Sequence, residues 1–165
     1  MNFPSDELRS SQTQKAKASQ KLLIFATGSL YCGLPIIGVK RIIRQIAVRG
    51  SGLNYVGIAN IGDEEIPVID LHKKFFKSSR APESHSKNYL IVAQNSAEEQ
   101  FGIVVFQSPI LIDVPLSQIR TLPASYRQAD TLDVATHVTI IEQEAKSMTV
   151  FLLDCDRLFP GHSNQ

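Results

Sequence analysis

The 165-residue sequence contains no tryptophan, only two cysteines and no long apolar run. No stretch approaches the ~20 apolar residues that a membrane-spanning helix needs. Residues 1–21 are polar and lack the apolar segment of a secretory signal, so we expect a cytoplasmic protein. Cys32 and Cys155 lie far apart, each in an apolar segment, which predicts buried thiols in a reducing compartment.

The groupings of residues that form common active sites are also missing. The four histidines are dispersed, without metal-ligand spacing to each other or to the cysteines. Asp63-Glu64-Glu65 lies on a predicted turn, where carboxylates favour solubility over acid–base chemistry. Asp154 and Asp156 lack the glycine and the distal glutamate of a calcium loop. Gly50-Ser51-Gly52 lacks the lysine and the helix of a phosphate-binding loop. We therefore predict no catalytic residues, no metal and no cofactor.

Charge is distributed unevenly, although the net charge is only +1. Residues 1–88 contain 13 Lys and Arg against 7 Asp and Glu, a net charge of +6, whereas residues 89–165 contain 4 against 9, a net charge of −5. Two interpretations remain open: the asymmetry orients contacts with similar molecules, or it is a chance distribution over solvated faces. The near-neutral total and the scarcity of aromatic residues exclude a nucleic-acid groove.

The sequence does contain a succession of short apolar segments separated by turn residues, of which Gly57 to Leu71 is the clearest. Gly62-Asp63 between two apolar runs predicts a β-hairpin with a type II′ turn and a positive φ at Gly62. Pro67 lacks an N–H, which predicts a second strand that is bulged or at a sheet edge. We expect Asp70 to cap a short helix that reaches Phe76.

Strands are predicted along most of the remaining chain, at 22–27, 30–34, 39–43, 89–93, 101–106, 110–114, 135–142 and 148–153. Asp154 is expected to cap a helical turn that reaches Phe159. Short strands in two similar halves are typical of all-β barrels. Both halves end in the same way, with an apolar strand, an aspartate and a short helical turn. We therefore expect two subdomains that exchange or share their terminal strands or helices.

Composition also predicts the domain boundaries. Residues 1–20 are polar and are expected to form a flexible N-terminal tail, and residues 161–165 a C-terminal tail. Residues 21–160 form the predicted folded domain. The polar segment 77–88 contains Pro82 and is the predicted boundary between the subdomain halves.

In their order and spacing, these segments resemble the CheW family of chemotaxis coupling proteins over about residues 22–160. The resemblance is carried by Phe25, Tyr31-Cys32-Gly33-Leu34-Pro35-Ile36, Val39-Lys40-Arg41-Ile42, Tyr55-Val56-Gly57-Ile58-Ala59-Asn60-Ile61, Pro67-Val68-Ile69-Asp70-Leu71, Phe101-Gly102-Ile103-Val104-Val105 and the segment Ile110 to Pro123. It implies two packed five-stranded SH3-like β-barrel subdomains with short helices and a groove between them.

The resemblance implies a non-enzymatic adaptor that couples a methyl-accepting receptor tip to the regulatory domain of a CheA-type histidine kinase in chemotaxis, phototaxis or twitching motility. It implies neither binding to nucleic acid nor direct insertion into a membrane. The residues that it places in partner contacts are Val39, Arg41, Ile43, Asn60, Gly62, Asp63, Phe101, Val105 and Phe106. Most apolar members of this set fit the core equally well, because core residues and groove-lining residues of a strand both recur at every second position. The alternative function is a small-ligand-binding β-barrel without a kinase partner, which predicts an enclosed apolar pocket.

The sequence departs from the family pattern at expected contact positions. Arg41 stands where the family commonly has glutamate, and Gly62 stands where it has arginine, so an ion pair of the family is lost as a unit. Phe106 replaces an aspartate that is frequent in the family.

Overall fold

The structure is a computed structural model that describes residues 18–52, 54–77, 87–127 and 133–161. In these residues two six-stranded sheets are accompanied by three short helices and two 3₁₀ turns. The strands are β1 (Ser19–Thr27), β2 (Leu30–Pro35), β3 (Val39–Arg44), β4 (Val48–Gly50), β5 (Val56–Ile61), β6 (Glu64–Ile69), β7 (Tyr89–Gln94), β8 (Gln100–Val105), β9 (Ile110–Pro115), β10 (Ile119–Thr121), β11 (Ala135–Gln143) and β12 (Lys146–Leu153). The helices are α1 (Leu71–Phe76), α2 (Ala124–Arg127) and α3 (Cys155–Leu158), and the 3₁₀ turns are Ile36–Gly38 and Leu116–Gln118.

The all-β prediction is confirmed, and each sheet has one strand more than the resemblance implied. Sheet 1 has the order β10-β11-β12-β2-β1-β9, and sheet 2 has the order β3-β7-β8-β6-β5-β4. The additional strands, β4 and β10, are three residues long. A strand this short has no alternating pattern by which it can be recognised.

The hairpin of β5 and β6 has the predicted turn. Gly62 has a φ of 61°, and Asn60 pairs with Glu65 across the hairpin. The prediction that β6 is bulged at Pro67 or lies at a sheet edge is wrong, because the register between β5 and β6 is unbroken and β6 lies between β5 and β8. Pro67 is tolerated there because only Val68 and Ile69 of β6 pair with β8. Pro67 lies before these two residues, so the ladder with β8 does not need the N–H that proline lacks.

Both predicted helix caps are confirmed. The Asp70 carboxylate accepts a hydrogen bond from the backbone N–H of Lys73 at 3.0 Å, and α1 ends at Lys77 in the left-handed conformation, with a φ of 59°. The Asp154 carboxylate accepts a hydrogen bond from the backbone N–H of Asp156 at 2.9 Å. Each cap satisfies a donor that the first turn of a helix leaves free, which fixes where α1 and α3 begin.

The two halves of the chain exchange strands, as the matching ends predicted. β7 and β8 follow the segment 77–88 but join sheet 2, where β7 pairs with β3 and β8 lies parallel to β6. Conversely, β1 and β2 join sheet 1, where β1 pairs with β9 and β2 lies parallel to β12. The segment 77–88 therefore does not separate the sheets. Its residues 78–86, like 1–17 and 162–165 of the predicted tails, lie outside the described residues.

Among the described residues, three apolar clusters fill the interior. One cluster belongs to sheet 1 and includes Leu22 and Ile24, a second belongs to sheet 2, and the largest includes residues of both sheets, among them Leu23 and Phe25. Successive residues of β1 thus pack into different clusters, because side chains alternate between the two faces of a strand. A strand that is buried on both faces is apolar throughout, which explains the continuous run at 22–25.

Candidate protein–protein interface

Two predicted contact residues lie in the core. Phe101 has no exposed surface and Val105 is 2% exposed. The Phe101 ring stacks on Phe159 with a centroid distance of 5.3 Å. Both residues belong to the cluster shared by the two sheets, so they hold the sheets together and offer no surface to a partner.

Three other predicted apolar contacts are half-buried. Val39 packs against the shared cluster, whereas Ile43 packs against the cluster of sheet 2. Phe106 lines an open cleft next to Val104. Each of these side chains divides its surface between the interior and solvent, so only its outer edge is open to a partner.

The polar members of the predicted set are exposed. Gly62 and Asp63 form the tip of the β5–β6 hairpin, and the Asn60 side chain accepts a hydrogen bond from Arg49 Nη2 at 3.4 Å. Arg49 also forms an ion pair with Glu65 at 3.2 Å. No sequence pattern predicts this pairing, because it depends on the three-residue strand β4. Because the pair is solvent-exposed, it contributes only about 0–1 kcal/mol.

Arg41 belongs to a basic surface at the edge of sheet 2, which we call the basic edge. It consists of the exposed residues Lys40, Arg41, Ile42 and Arg44 of β3. Ile42 is 42% exposed. In the described part of the chain, no carboxylate forms an ion pair with these three cations. The basic edge is therefore a positively charged surface around one apolar side chain.

Hydrogen bonds fix the position of this edge. Immediately after β3, the Asn88 side chain donates to the Ile46 carbonyl at 2.8 Å and accepts from the Ile46 N–H at 3.0 Å. The Gln45 N–H donates to the Asn88 carbonyl at 2.9 Å. At the other end, the 3₁₀ turn Ile36–Gly38 precedes β3, and the Val39 N–H donates to the Ile36 carbonyl. A surface held at both ends loses little conformational entropy when a partner binds.

A groove with a volume of about 420 Å³ lies beside this 3₁₀ turn. Pro35, Ile37 and Gly38 line one side, and the other side includes Ile119 and the segment 152–156. Ile37 is 87% exposed. No pattern in the sequence marks Ile37 as exposed, since isoleucine is usually buried.

A polar clamp connects the two sheets next to the groove. The side chain of Asn95, which is 4% exposed, donates to the Phe159 carbonyl at 2.8 Å. The N–H and the hydroxyl of Ser96 both donate to the Asp156 carboxylate, at 2.8 and 2.9 Å. The clamp joins the β7–β8 turn of sheet 2 to α3, which follows sheet 1, and so fixes the width of the groove.

The two cysteines are free thiols in different environments. Burial raises the pKa of Cys32 to about 12, although a hydrogen bond with the Thr27 side chain lowers it slightly. Cys155 is half-buried at the start of α3. Burial, together with the neighbouring carboxylates Asp154 and Asp156, raises its pKa to about 11. The prediction of a buried thiol is thus confirmed for Cys32 and only partly for Cys155.

We expect both thiols to resist alkylation by iodoacetamide at pH 8 and the folded protein to lose stability as the pH rises above about 9. The neutral thiols of the folded state retain their protons up to about pH 11 and 12, whereas the unfolded thiols ionise near 8.5. The folded state is therefore favoured fully below the unfolded pKa and loses this advantage as the pH rises through the folded values.

Alkylation followed by mass spectrometry, and urea unfolding between pH 8 and 11, check this expectation. The Cys32→Ala variant serves as the control for the unfolding series, since it lacks the more deeply buried thiol. Rapid alkylation of Cys32 in the folded protein at pH 8 would contradict the prediction.

In residues 18–52, 54–77, 87–127 and 133–161, no three His, Cys, Asp or Glu side chains are grouped in a way that could hold a metal ion. Among the helices of this part of the chain, none has the length and apolarity to span a bilayer.

Comparisons with known proteins agree with this architecture. The family model described as "CheW-like domain" matches residues 21–162. The chain is 30% identical over 150 residues to the chemotaxis protein CheW of Treponema pallidum (strain Nichols), covering 88% of this chain and 85% of that protein. It also resembles the crystal structure of the scaffolding protein TtCheW from Thermoanaerobacter tengcongensis, with a TM-score of 0.64, 20% identity, and coverage of 83% of this chain and 91% of that chain. The chain therefore belongs to the CheW-like domain family.

Proposed function

We propose that this protein is a non-enzymatic adaptor that couples a methyl-accepting receptor tip to the regulatory domain of a CheA-type histidine kinase in the cytoplasm. The observation that carries the proposal is the family match over residues 21–162. The relatives named as a chemotaxis protein and a scaffolding protein support it. The same observations favour the adaptor over the small-ligand-binding alternative.

The groove beside Ile37 and the neighbouring basic edge are the surfaces on which we expect a partner to bind. Ile37 lines the groove and is 87% exposed, so a partner that occupies the groove buries apolar surface there. The clamp of Asn95 and Ser96 holds both walls of the groove, so the site exists before binding. The exposed residues Arg41, Asn60, Gly62 and Asp63 remain proposed contacts.

Ile37→Asp should weaken binding to the kinase regulatory domain or to the receptor tip by at least about tenfold, because a carboxylate cannot replace an apolar contact that is buried in the complex. The folded monomer should be little affected, since Ile37 is mostly exposed. Isothermal titration calorimetry with each purified partner fragment measures the change.

Leu116→Asp is the matched control. Leu116 is 52% exposed and lies on the second 3₁₀ turn, which likewise follows a proline, but it does not line the groove. Binding by this variant should equal that of the wild type. If the wild-type protein binds neither fragment and a small molecule raises its melting temperature instead, the adaptor function is refuted.

A further inference from the structure

Helix α1 and the residue that ends it bring three lysines to one cavity. The cavity has a volume of about 300 Å³, and its lining consists of Asn54, Tyr55, Lys73, Lys74, Lys77 and Asp133. We call it the lysine cavity. Leu71 and Phe75 of α1 are buried, which fixes the rotation of the helix and leaves its lysines on the other side.

Neighbouring carboxylates compensate the charge of this cavity only in part. Lys73 and Lys77 are four residues apart, so their ammonium groups repel each other. In the described part of the chain, no carboxylate forms an ion pair with Lys73, Lys74 or Lys77, and Asp133 is the single carboxylate of the lining. The last carbonyl groups of a helix favour nearby cations, but that attraction holds equally for lysines that point into solvent. The cavity therefore has an excess of positive charge that an anion can neutralise.

Contacts within the protein fix the lysines and the wall that faces them. Lys74 Nζ lies 4.6 Å from the centroid of the Tyr55 ring, and this cation–π contact positions the ammonium group without removing its charge. The Asp70 N–H donates to the Tyr55 carbonyl at 2.8 Å, and the Lys77 N–H donates to the Lys73 carbonyl at 2.9 Å. The first bond connects Tyr55 to the start of α1, and the second closes the last turn. An anion thus meets groups that lose little conformational entropy on binding.

The cleft beside Phe106 adjoins the lysine cavity. It has a volume of about 470 Å³ and shares Asn54, Tyr55 and Lys73 with that cavity. Its apolar lining includes Val48, Val56, Val68, Val104 and Phe106. A ligand that extends from the lysine cavity into the cleft meets cations at one end and apolar side chains at the other. This combination fits a phosphate ester, which joins a multiply charged hydrogen-bond acceptor to an organic group.

We propose that the lysine cavity binds the phosphate groups of a small phosphate ester whose organic group lies in the adjoining cleft. Lys73, Lys74 and Lys77 supply the positive charge, and the side-chain amide of Asn54 supplies a further hydrogen-bond donor. A soluble ester and a lipid headgroup offer the same chemistry, so the experiment includes both. The site goes beyond the proposed function, because neither cavity shares a residue with the groove beside Ile37 or with the basic edge.

Isothermal titration calorimetry of the full chain at constant ionic strength measures the binding of pyrophosphate, which offers phosphate groups alone, and of ATP, which adds an organic group. Co-sedimentation with phosphatidylcholine vesicles, with and without phosphatidic acid, tests the lipid headgroup. The test variant combines Lys73→Gln with Lys77→Gln. The matched control combines Arg120→Gln with Lys146→Gln, because both side chains are exposed, line neither cavity and change the net charge equally. Circular dichroism melting shows whether each variant is folded.

We expect the wild type and the control to bind ATP more tightly than pyrophosphate, since the organic group buries apolar surface in the cleft. The test variant should bind each probe at least about tenfold more weakly, because two of the three cations are lost. Tighter binding to phosphatidic acid vesicles than to ATP would identify a lipid headgroup as the source of the phosphate. A wild type that binds none of the three probes, or a folded test variant that binds as the control does, would overturn the inference. Binding of the kinase fragment, measured in parallel, shows separately whether the proposed function holds.

Discussion

Phe101→Ala should lower the free energy of unfolding by about 3–5 kcal/mol, as expected when a buried aromatic side chain is removed from a packed core. Phe101 has no exposed surface, stacks on Phe159 and lies in the cluster shared by both sheets. The cavity left by its removal lies between the two sheets, where neither can collapse without moving against the other. Urea unfolding followed by circular dichroism measures the loss.

The same variant decides between the two roles that the alternating sequence pattern left open for Phe101. If it is a core residue, the folded fraction of Phe101→Ala binds its partner with wild-type affinity. Phe106→Ala is the comparison, since Phe106 is only half-buried and loses less apolar contact, about 1–2 kcal/mol. Normal stability of Phe101→Ala together with lost partner binding would show that Phe101 is a contact residue after all.

Asn95→Ala should destabilise the protein by about 3 kcal/mol, because the substitution removes a buried side chain with several hydrogen-bond partners. The Asn95 oxygen accepts from the N–H groups of Ala97 and Glu99 at 3.0 and 2.9 Å. Its amide donates to the Phe159 carbonyl, which then lacks this donor. Chemical denaturation gives the magnitude.

Ser96→Ala provides the control for this clamp. The substitution removes only the hydroxyl bond to Asp156, while the Ser96 N–H still donates to the same carboxylate. Since Ser96 is exposed, we expect a loss of about 0.5 kcal/mol. Equal effects of the two substitutions would mean that the buried amide does not connect the sheets.

Local signals predicted much of the fold. Gly62 indicated the turn of the β5–β6 hairpin, and Asp70 and Asp154 indicated the starts of two helices, because turns and caps depend on residues that are neighbours in sequence. The resemblance carried by segments such as Pro67 to Leu71 indicated two packed barrels. These features need no knowledge of distant partners.

Long-range pairing and the choice between core and surface could not be predicted in the same way. Nothing local indicates that β2 lies parallel to β12, because the two strands are far apart in the chain. Apolar residues alternate in the same way around Phe101 and Val105 whether the inner face of the strand packs into a core or lines a groove. Ile37 is exposed against the usual preference of isoleucine, and Asn95 is buried against that of asparagine. Both exceptions line the groove.

The exchange of strands between the halves has a consequence for the order in which the nascent chain folds. Sheet 2 has all its strands once Val105 has been synthesised. β1 and β2 are made before that point, but their partners β9 and β12 follow, and the last of them ends at Leu153. During the interval, Leu22 and Ile24 lack the cluster in which they are buried. The first hairpin therefore needs ribosomal or chaperone shielding until β12 has been made, since exposed apolar strand edges aggregate.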